Sequence, residues 1–465
     1  MFSLVLVLVT LAAPADAPAP AAAPAAAPAA APQKPAIVDL PALLEKARNQ
    51  PVVEIARASA RAAHAKASEI KWMWGPQIEI TAVGGPSQRI RCYPSVDNCI
   101  STTPDQPGLG FDGVFGRIDG KLLMPLYTFG KISDGTRAAE AGAVAGDALA
   151  EASAQGAALD AAKAYFAAKL GRELLVMLDE GQQFVEDELK REEELLEKGS
   201  GDVTEADHRR VLTLRAEIDA RRSQAKKIEE LGLAGVHYTM GTDAADIDAV
   251  PLKPIAWKLP TVAEIRERSV GRPEQKAAKA GEEAMAGLVD VEWDKWWPDL
   301  VLVGTGTFAA SNSVDHPHNA FMVDPFNVAT GAAGIIIRWA PEPFQRLQKI
   351  DQAEAEHAKA KATVNMAREG LAAEAEKTLA EARDAQDTMK AGRDGQKHAR
   401  AWLASVLQSE AAGLVEPKDL ADALLQYFMM RARLIQATFE WNVSVVALHR
   451  AIGEQPSELK YVEED

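Results

Sequence analysis

Asp419 and Asp422 stand three residues apart just after Gly413, a spacing that turns both carboxylates to one side of a helix. Carboxylates so placed can hold cations or repel one another. They are equally what a solvated helix start looks like, where acidic groups offset the helix dipole. Asp315-His316-Pro317-His318 brings two imidazoles and a carboxylate together. Without further ligands nearby it reads as a solvated polar loop rather than a metal site, so no metal is expected. Gly130-Lys131 is followed by Ile132, not Ser or Thr, and is no phosphate-binding loop. Neither Gly-x-Ser-x-Gly nor His-Glu-x-x-His occurs. No enzyme activity and no cofactor is expected.

The chain that must position these residues has 465 of them, with 51 Lys and Arg against 67 Asp and Glu, a net charge of −16. Such an acidic chain excludes nucleic acid as a partner, because phosphate recognition needs clustered cations. Apolar residues make up 47% and aromatics only 6%. That Ala-, Val- and Leu-rich balance suits long helices in close contact better than a bulky core. No internal run of apolar residues is long enough for a membrane helix, which leaves membrane strands open. Leu4 to Ala13, followed by Ala15-Asp16-Ala17, reads as an export signal over residues 1–17. An Ala/Pro tether over 18–36 follows. No Cys follows the signal, so no lipid anchor is expected. The two cysteines, Cys92 and Cys99, are too few for a Cys-rich zinc or iron–sulfur module. Export to an oxidising compartment favours a disulfide between them over two free thiols.

Internal repetition sets the organisation. Leu40-Pro41-Ala42-Leu43-Leu44-Glu45 is echoed by Leu259-Pro260-Thr261-Val262-Ala263-Glu264, Pro51 by Pro273, and Pro76 by Pro298. Gly199 is echoed by Gly413 and Gly241 by Gly453. The offset falls by 8 between the Pro76 and Gly199 pairs, placing an insertion in the Cys-containing loop of the first copy. Two repeats, 37–241 and 259–453, are expected, with a linker at 242–258 and an acidic tail at 454–465.

Each repeat carries the same elements. Past Pro76 the apolar period changes from 3.6 to 2: Gln77, Glu79 and Thr81 alternate with Ile78, Ile80 and Ala82. Arg117, Asp119 and Lys121 alternate with Ile118, Gly120 and Leu122. Similar runs cover Leu300 to Phe308 and Gly331 to Trp339, so long-looped hairpins are expected at about 76–127 and 298–340. Strands of about 10 residues suffice to cross a bilayer core when tilted. Trp72, Trp74, Trp296 and Trp297 sit where an aromatic girdle marks the membrane surface. Four strands cannot close a barrel, so several chains must close it together. The proline-free stretches 131–198 and 345–412 predict helices of roughly 100 Å at 1.5 Å per residue. Each reverses at a Gly-containing turn into a shorter return helix, about 203–240 and 416–452. Leu424, Tyr427, Leu434, Trp441, Val445, Leu448 and Ile452 form a heptad-like stripe on the second.

These residues together resemble the TolC-like outer-membrane efflux proteins. The resemblance rests on the Leu-rich first helix with its downstream Pro and on Pro125-Leu126-Tyr127 followed by Gly130-Lys131. It rests also on the Gly turn followed by spaced Asp, and on Ala451-Ile452-Gly453. It implies a mainly α fold with membrane β: a trimeric 12-stranded barrel, four strands per chain, continued by a periplasmic α-helical barrel. The implied function is the exit duct of a tripartite efflux or type I secretion system. A homotrimer in outer-membrane lipid would receive substrate from a periplasmic adaptor (a membrane fusion protein) and an inner-membrane pump. Asp419 and Asp422 match the carboxylates that ring the periplasmic gate, with Asp207 a weaker counterpart. Gly199, Ser200, Gly201, Gly413, Leu414 and Val415 match the turns where adaptor hairpins dock. The chain departs from the family at Ala340-Pro341-Glu342-Pro343-Phe344, where a Gly-Gly pair usually bends strand into helix. A pore-free periplasmic coiled-coil scaffold or surface stalk is the alternative; it leaves the four strands and their tryptophans unexplained.

Overall fold

A computed structural model describes residues 36–104, 113–198, 204–319, 324–411, 417–454 and 459–462. The export segment, nearly all of the tether and both Gly turns lie outside the described residues.

The element order helix, helix, strand, strand, long helix, return helix occurs twice. First come α1 (Leu40–Ala47), α2 (Pro51–Lys71), β2 (Gln77–Ser87), β5 (Gly113–Tyr127), α3 (Lys131–Lys198) and α4 (Glu205–Met240). Then follow α5 (Val262–Ser269), α6 (Pro273–Asp294), β7 (Asp299–Ser311), β8 (Val328–Arg338), α7 (Pro343–Ala411) and α8 (Pro417–Ala451). The first hairpin loop carries a small ribbon, β3 (Ile90–Tyr93) paired with β4 (Ser101–Pro104). Before α1 lies β1 (Ala36–Val38), parallel to β6 (Ala245–Ile247) in the segment between the two halves.

Local chemistry explains most boundaries. Pro51 and Pro273 open α2 and α6, where a missing N–H costs nothing. Thr204 with Asp207, and Thr261 with Glu264, form reciprocal caps at the starts of α4 and α5. Gly241, at φ 72°, ends α4 in the left-handed region. The strand-to-helix bend uses Phe129 and Gly130 (φ 51° and 101°) before α3, but Glu342 (φ 38°) before α7. The second bend thus dispenses with glycine: Glu342 takes the left-handed turn and Pro343 starts the helix behind it.

α3 and α7, of 68 and 69 residues, are rods of about 100 Å. The N-terminal half of α3 packs on α2 and α6, its C-terminal half on α4. α7 packs on α6 and α8 in the same way. Packing between α3 and α4 is close: Gly171 lies against the Glu229 backbone and Gly232 against that of Ala168. Toward the far end Met177, Leu178, Val185 and Leu189 meet Val211, Ile218 and Ala225 at heptad-like spacing.

The largest core sits at mid-rod. Leu43, Phe166, Val236, Ile265, Leu379 and Leu448 are all buried there, joining α1 and α5 to the four long helices. Polar anchors tie the inter-half segment to this core. Asp248 accepts from Tyr165 and from Lys169 (2.7 Å). Buried Asn442 accepts from the Ile255 N–H and donates to the Lys253 carbonyl, both at 2.8 Å. The acidic tail is tied down in part: Val462 donates to the Pro254 carbonyl (2.9 Å), and Ala256 donates to that of Lys460 (2.7 Å).

β2, β5, β7 and β8 form one antiparallel sheet in that order. Its edges, β2 and β8, pair with no further strand among the described residues.

Candidate functional site

Alternation sorts the sheet residues onto two faces. One face carries Ile78, Ile80, Ile118, Phe308, Ile335 and Ile337, all exposed. The opposite face carries Glu79, Lys121 and Thr305 in one row, Thr81, Asp119, Thr307 and Thr330 in the next, and Arg117 in the next. One greasy and one wet face is the pattern of a membrane barrel wall rather than of a sandwich core.

Where sheet meets helices, the aromatic residues cluster. Trp72 is 77% exposed on a single 3-10 turn, Trp74 and Trp297 are exposed, and Trp296 is half-buried. Sequence reasoning missed three members of this cluster. Phe129 stacks on Trp297 with ring centroids 5.8 Å apart, Tyr127 meets Phe129 edge-on, and Trp339 donates to the Trp296 carbonyl at 3.0 Å. Their position at strand ends was visible in the sequence; their convergence needed the sheet register. Beneath them Asp294, on the last turn of α6, is pushed up to about 6 by burial and by Asp134, with Asp290 adding to the repulsion.

At the opposite end of the rods the two sequence-predicted carboxylates have different surroundings. Asp422 is exposed and bonded to Arg210 of α4 at 2.5 Å, so a cation is already seated on it within the chain. Asp419 is half-buried in the first turn of α8. Asp207 is occupied in capping: it accepts from the Thr204 N–H at 3.1 Å. Behind them sits a pair the sequence did not announce. Glu192 is 1% exposed and lies 3.4 Å from His208 Nδ1; burial and the neighbouring Glu188 raise its carboxyl above the usual range. Two residues 16 apart on separate helices carry no local motif that could have revealed this. Gly199, Ser200, Gly201, Gly413, Leu414 and Val415 lie outside the described residues.

Past the other end of the sheet, Cys92 and Cys99 face each other as a disulfide pair with Cα atoms 5.1 Å apart. His316 pairs with Asp324 and His318 with Asp97, each imidazole on its own carboxylate. Among the described residues no group of three or more His, Cys, Asp or Glu is arranged to hold a metal. No described helix is long and apolar enough to cross a membrane.

Residues 265–454 match the family model described as outer membrane efflux protein. The family resemblance holds. Solved structures extend the likeness in fold to nearly the whole chain. The CmeC outer membrane channel of Campylobacter jejuni is 14% identical, with a TM-score of 0.73 over 90% of this chain and 87% of that one. The outer membrane protein VceC of Vibrio cholerae is 18% identical, with a TM-score of 0.71 over 90% and 96%. The open-state MtrE outer membrane channel of Neisseria gonorrhoeae is 17% identical, with a TM-score of 0.69 over 89% of each chain. No curated protein sequence matches the chain.

Proposed function

We propose that three copies of this chain form an outer-membrane exit duct for an efflux or type I secretion system. The observation that carries this reading is a four-stranded sheet with open edges, one exposed apolar face, and rods of about 100 Å attached to it. An open edge in lipid leaves backbone groups unpaired at several kcal/mol each. β2 and β8 run antiparallel to one another across the sheet. β8 of one copy can therefore pair with β2 of the next and keep the whole barrel antiparallel. Three copies give 12 strands, within the range of outer-membrane barrels.

In this arrangement the Ile and Phe face meets lipid, the aromatic junction marks the inner membrane surface, and the rods join into a periplasmic tube. The chain's two halves act as repeats of one unit, which is why each contributes one hairpin and one rod. A periplasmic adaptor docks at the turns 199–201 and 413–415, and an inner-membrane pump supplies the substrate. Asp419 and Asp422 ring the mouth; Arg210, bonded to Asp422, tempers that acidity. Export through residues 1–17 delivers the chain to the outer membrane, with its helical part in the periplasm.

The test is extraction of the native protein from outer membranes in detergent, followed by planar-bilayer recording. Heat-modifiable trimers that conduct ions support the reading. A water-soluble protein that makes no pores sinks it.

A further inference from the structure

The charged face of the sheet is not charged throughout. Toward the middle of the strands its ionised groups occupy three successive rows, Glu79 and Lys121, then Asp119, then Arg117, while Asp299 and Arg338 stand apart from them as neighbours at the helical end of the same face. Between these rows and the Asp299–Arg338 pair the same face turns apolar, with Leu123 beside Val303 and Pro125 beside Val301. The polar band therefore spans about 13 Å along the strands, at roughly 3.3 Å per residue.

Within this band each charge is answered by its opposite. Arg117 grips Asp119 with two bonds, Nε to Oδ2 at 2.7 Å and Nη2 to Oδ1 at 2.9 Å. Asp119 also accepts from Thr307 Oγ1 of β7 at 2.8 Å. Lys121 faces Glu79 of β2 at 3.8 Å. The four side chains sum to zero, and Thr81, Thr305 and Thr330 fill the remaining positions in the Glu79 and Asp119 rows, apart from Ala332. Lys121 and Glu79 are each about two-thirds exposed, so their charges face open solvent rather than protein. A charge on a barrel wall turns to the lumen, because the lipid side does not tolerate it.

We propose that Glu79, Arg117, Asp119 and Lys121 form a charge-compensated collar around the barrel lumen, a selectivity element separate from the acidic mouth formed by Asp419 and Asp422. This rests on the duct reading above. An acidic ring alone excludes anions. The collar presents guanidinium and ammonium groups beside carboxylates, so it passes ions of either sign and favours solutes that carry both charges. Its neutrality is a balance: removing one member of the Arg117–Asp119 pair in each of three copies leaves a ring of uncompensated charge.

The test compares Asp119→Asn, Arg117→Gln and the double substitution with the native protein in planar bilayers under a KCl gradient. Three uncovered charges, screened at physiological salt over about 8 Å, shift the potassium-to-chloride permeability ratio by about two- to threefold. The ratio falls in Asp119→Asn, rises in Arg117→Gln, and returns to the native value in the double variant. All variants must migrate as the native oligomer, which separates charge effects from misfolding. Conducting pores whose ratio is unmoved by either single substitution, or moved the same way by both, overturn the collar and leave the duct standing. A native protein that conducts nothing overturns both.

Discussion

Replacing Gly232 with alanine sets two effects of opposite sign against each other. Alanine is the better helix former by about 1 kcal/mol, and Gly232 lies well inside α4. A Cβ there, however, meets Ala168 N at 2.3 Å, its Cα at 2.6 Å and its Cβ at 2.8 Å. Gly171 mirrors it on α3, where a Cβ meets Glu229 N at 2.4 Å and its Cα at 2.6 Å. These obstacles are backbone, which no rotamer change can move aside. The helices must separate by about 1 Å, loosening Phe166 and Val236 beside them, at the upper end of the 1–3 kcal/mol typical of overpacking. The clash wins by roughly 2 kcal/mol per site. At about 2–4 °C per kcal/mol for a large chain, the helical melt followed by circular dichroism in detergent should fall by about 4–8 °C. Gly370 is the control: it is exposed, with nothing within 4 Å of an added Cβ, so Gly370→Ala keeps only the propensity gain and melts slightly higher. The reasoning fails if Gly232→Ala and Gly370→Ala shift the melt in the same direction.

Two further outcomes are expected. Asp294 is raised to about 6 from 3.8, so the folded chain holds its proton more tightly than the unfolded chain. Its favourable contribution is complete below the unfolded value and is lost as pH rises through about 6. Asp294→Asn should therefore melt higher than the native protein at pH 8, by an amount on the order of 1–2 kcal/mol after allowing for partial exposure, and match it at pH 4. An unchanged difference between the two pH values would contradict that assignment. Asn442→Leu orphans the Ile255 N–H and the Lys253 carbonyl in a buried site, costing about 2 kcal/mol or more. Amide exchange at Ile255 should then quicken by about 30-fold, whereas native-like protection would show that the segment is held by other contacts.

Much of the architecture was legible because its determinants are local. A stretch without proline from Lys131 to Lys198, dense in Ala, Glu and Leu, has no other conformation that satisfies its backbone so well. Alternation at Gln77 to Ala82 announces a strand with one wet face by period alone. The Gly130-Lys131 pair, separated from Tyr127 by two residues, marks the bend into α3, and Gly130 does take positive φ there. The equivalent bend before α7 was harder to read, because Glu342 holds a conformation that its residue type does not advertise.

The candidate site residues divide along the same line. Sequence spacing put Asp419 and Asp422 near one another and placed tryptophans at strand ends. It could not reveal that Arg210, 212 residues before Asp422, sits on that carboxylate, nor that Trp339 and Phe129 join the tryptophans at the sheet's end. It alternated Arg117, Asp119 and Lys121 onto one face, but their partners Thr307 and Glu79 come from other strands through register. Helix, strand and turn follow from neighbours in the chain, and the amino-acid order is sufficient for them. Which charge meets which is decided only when rods cross and strands pair, since a contact between distant segments depends on every element that lies between them.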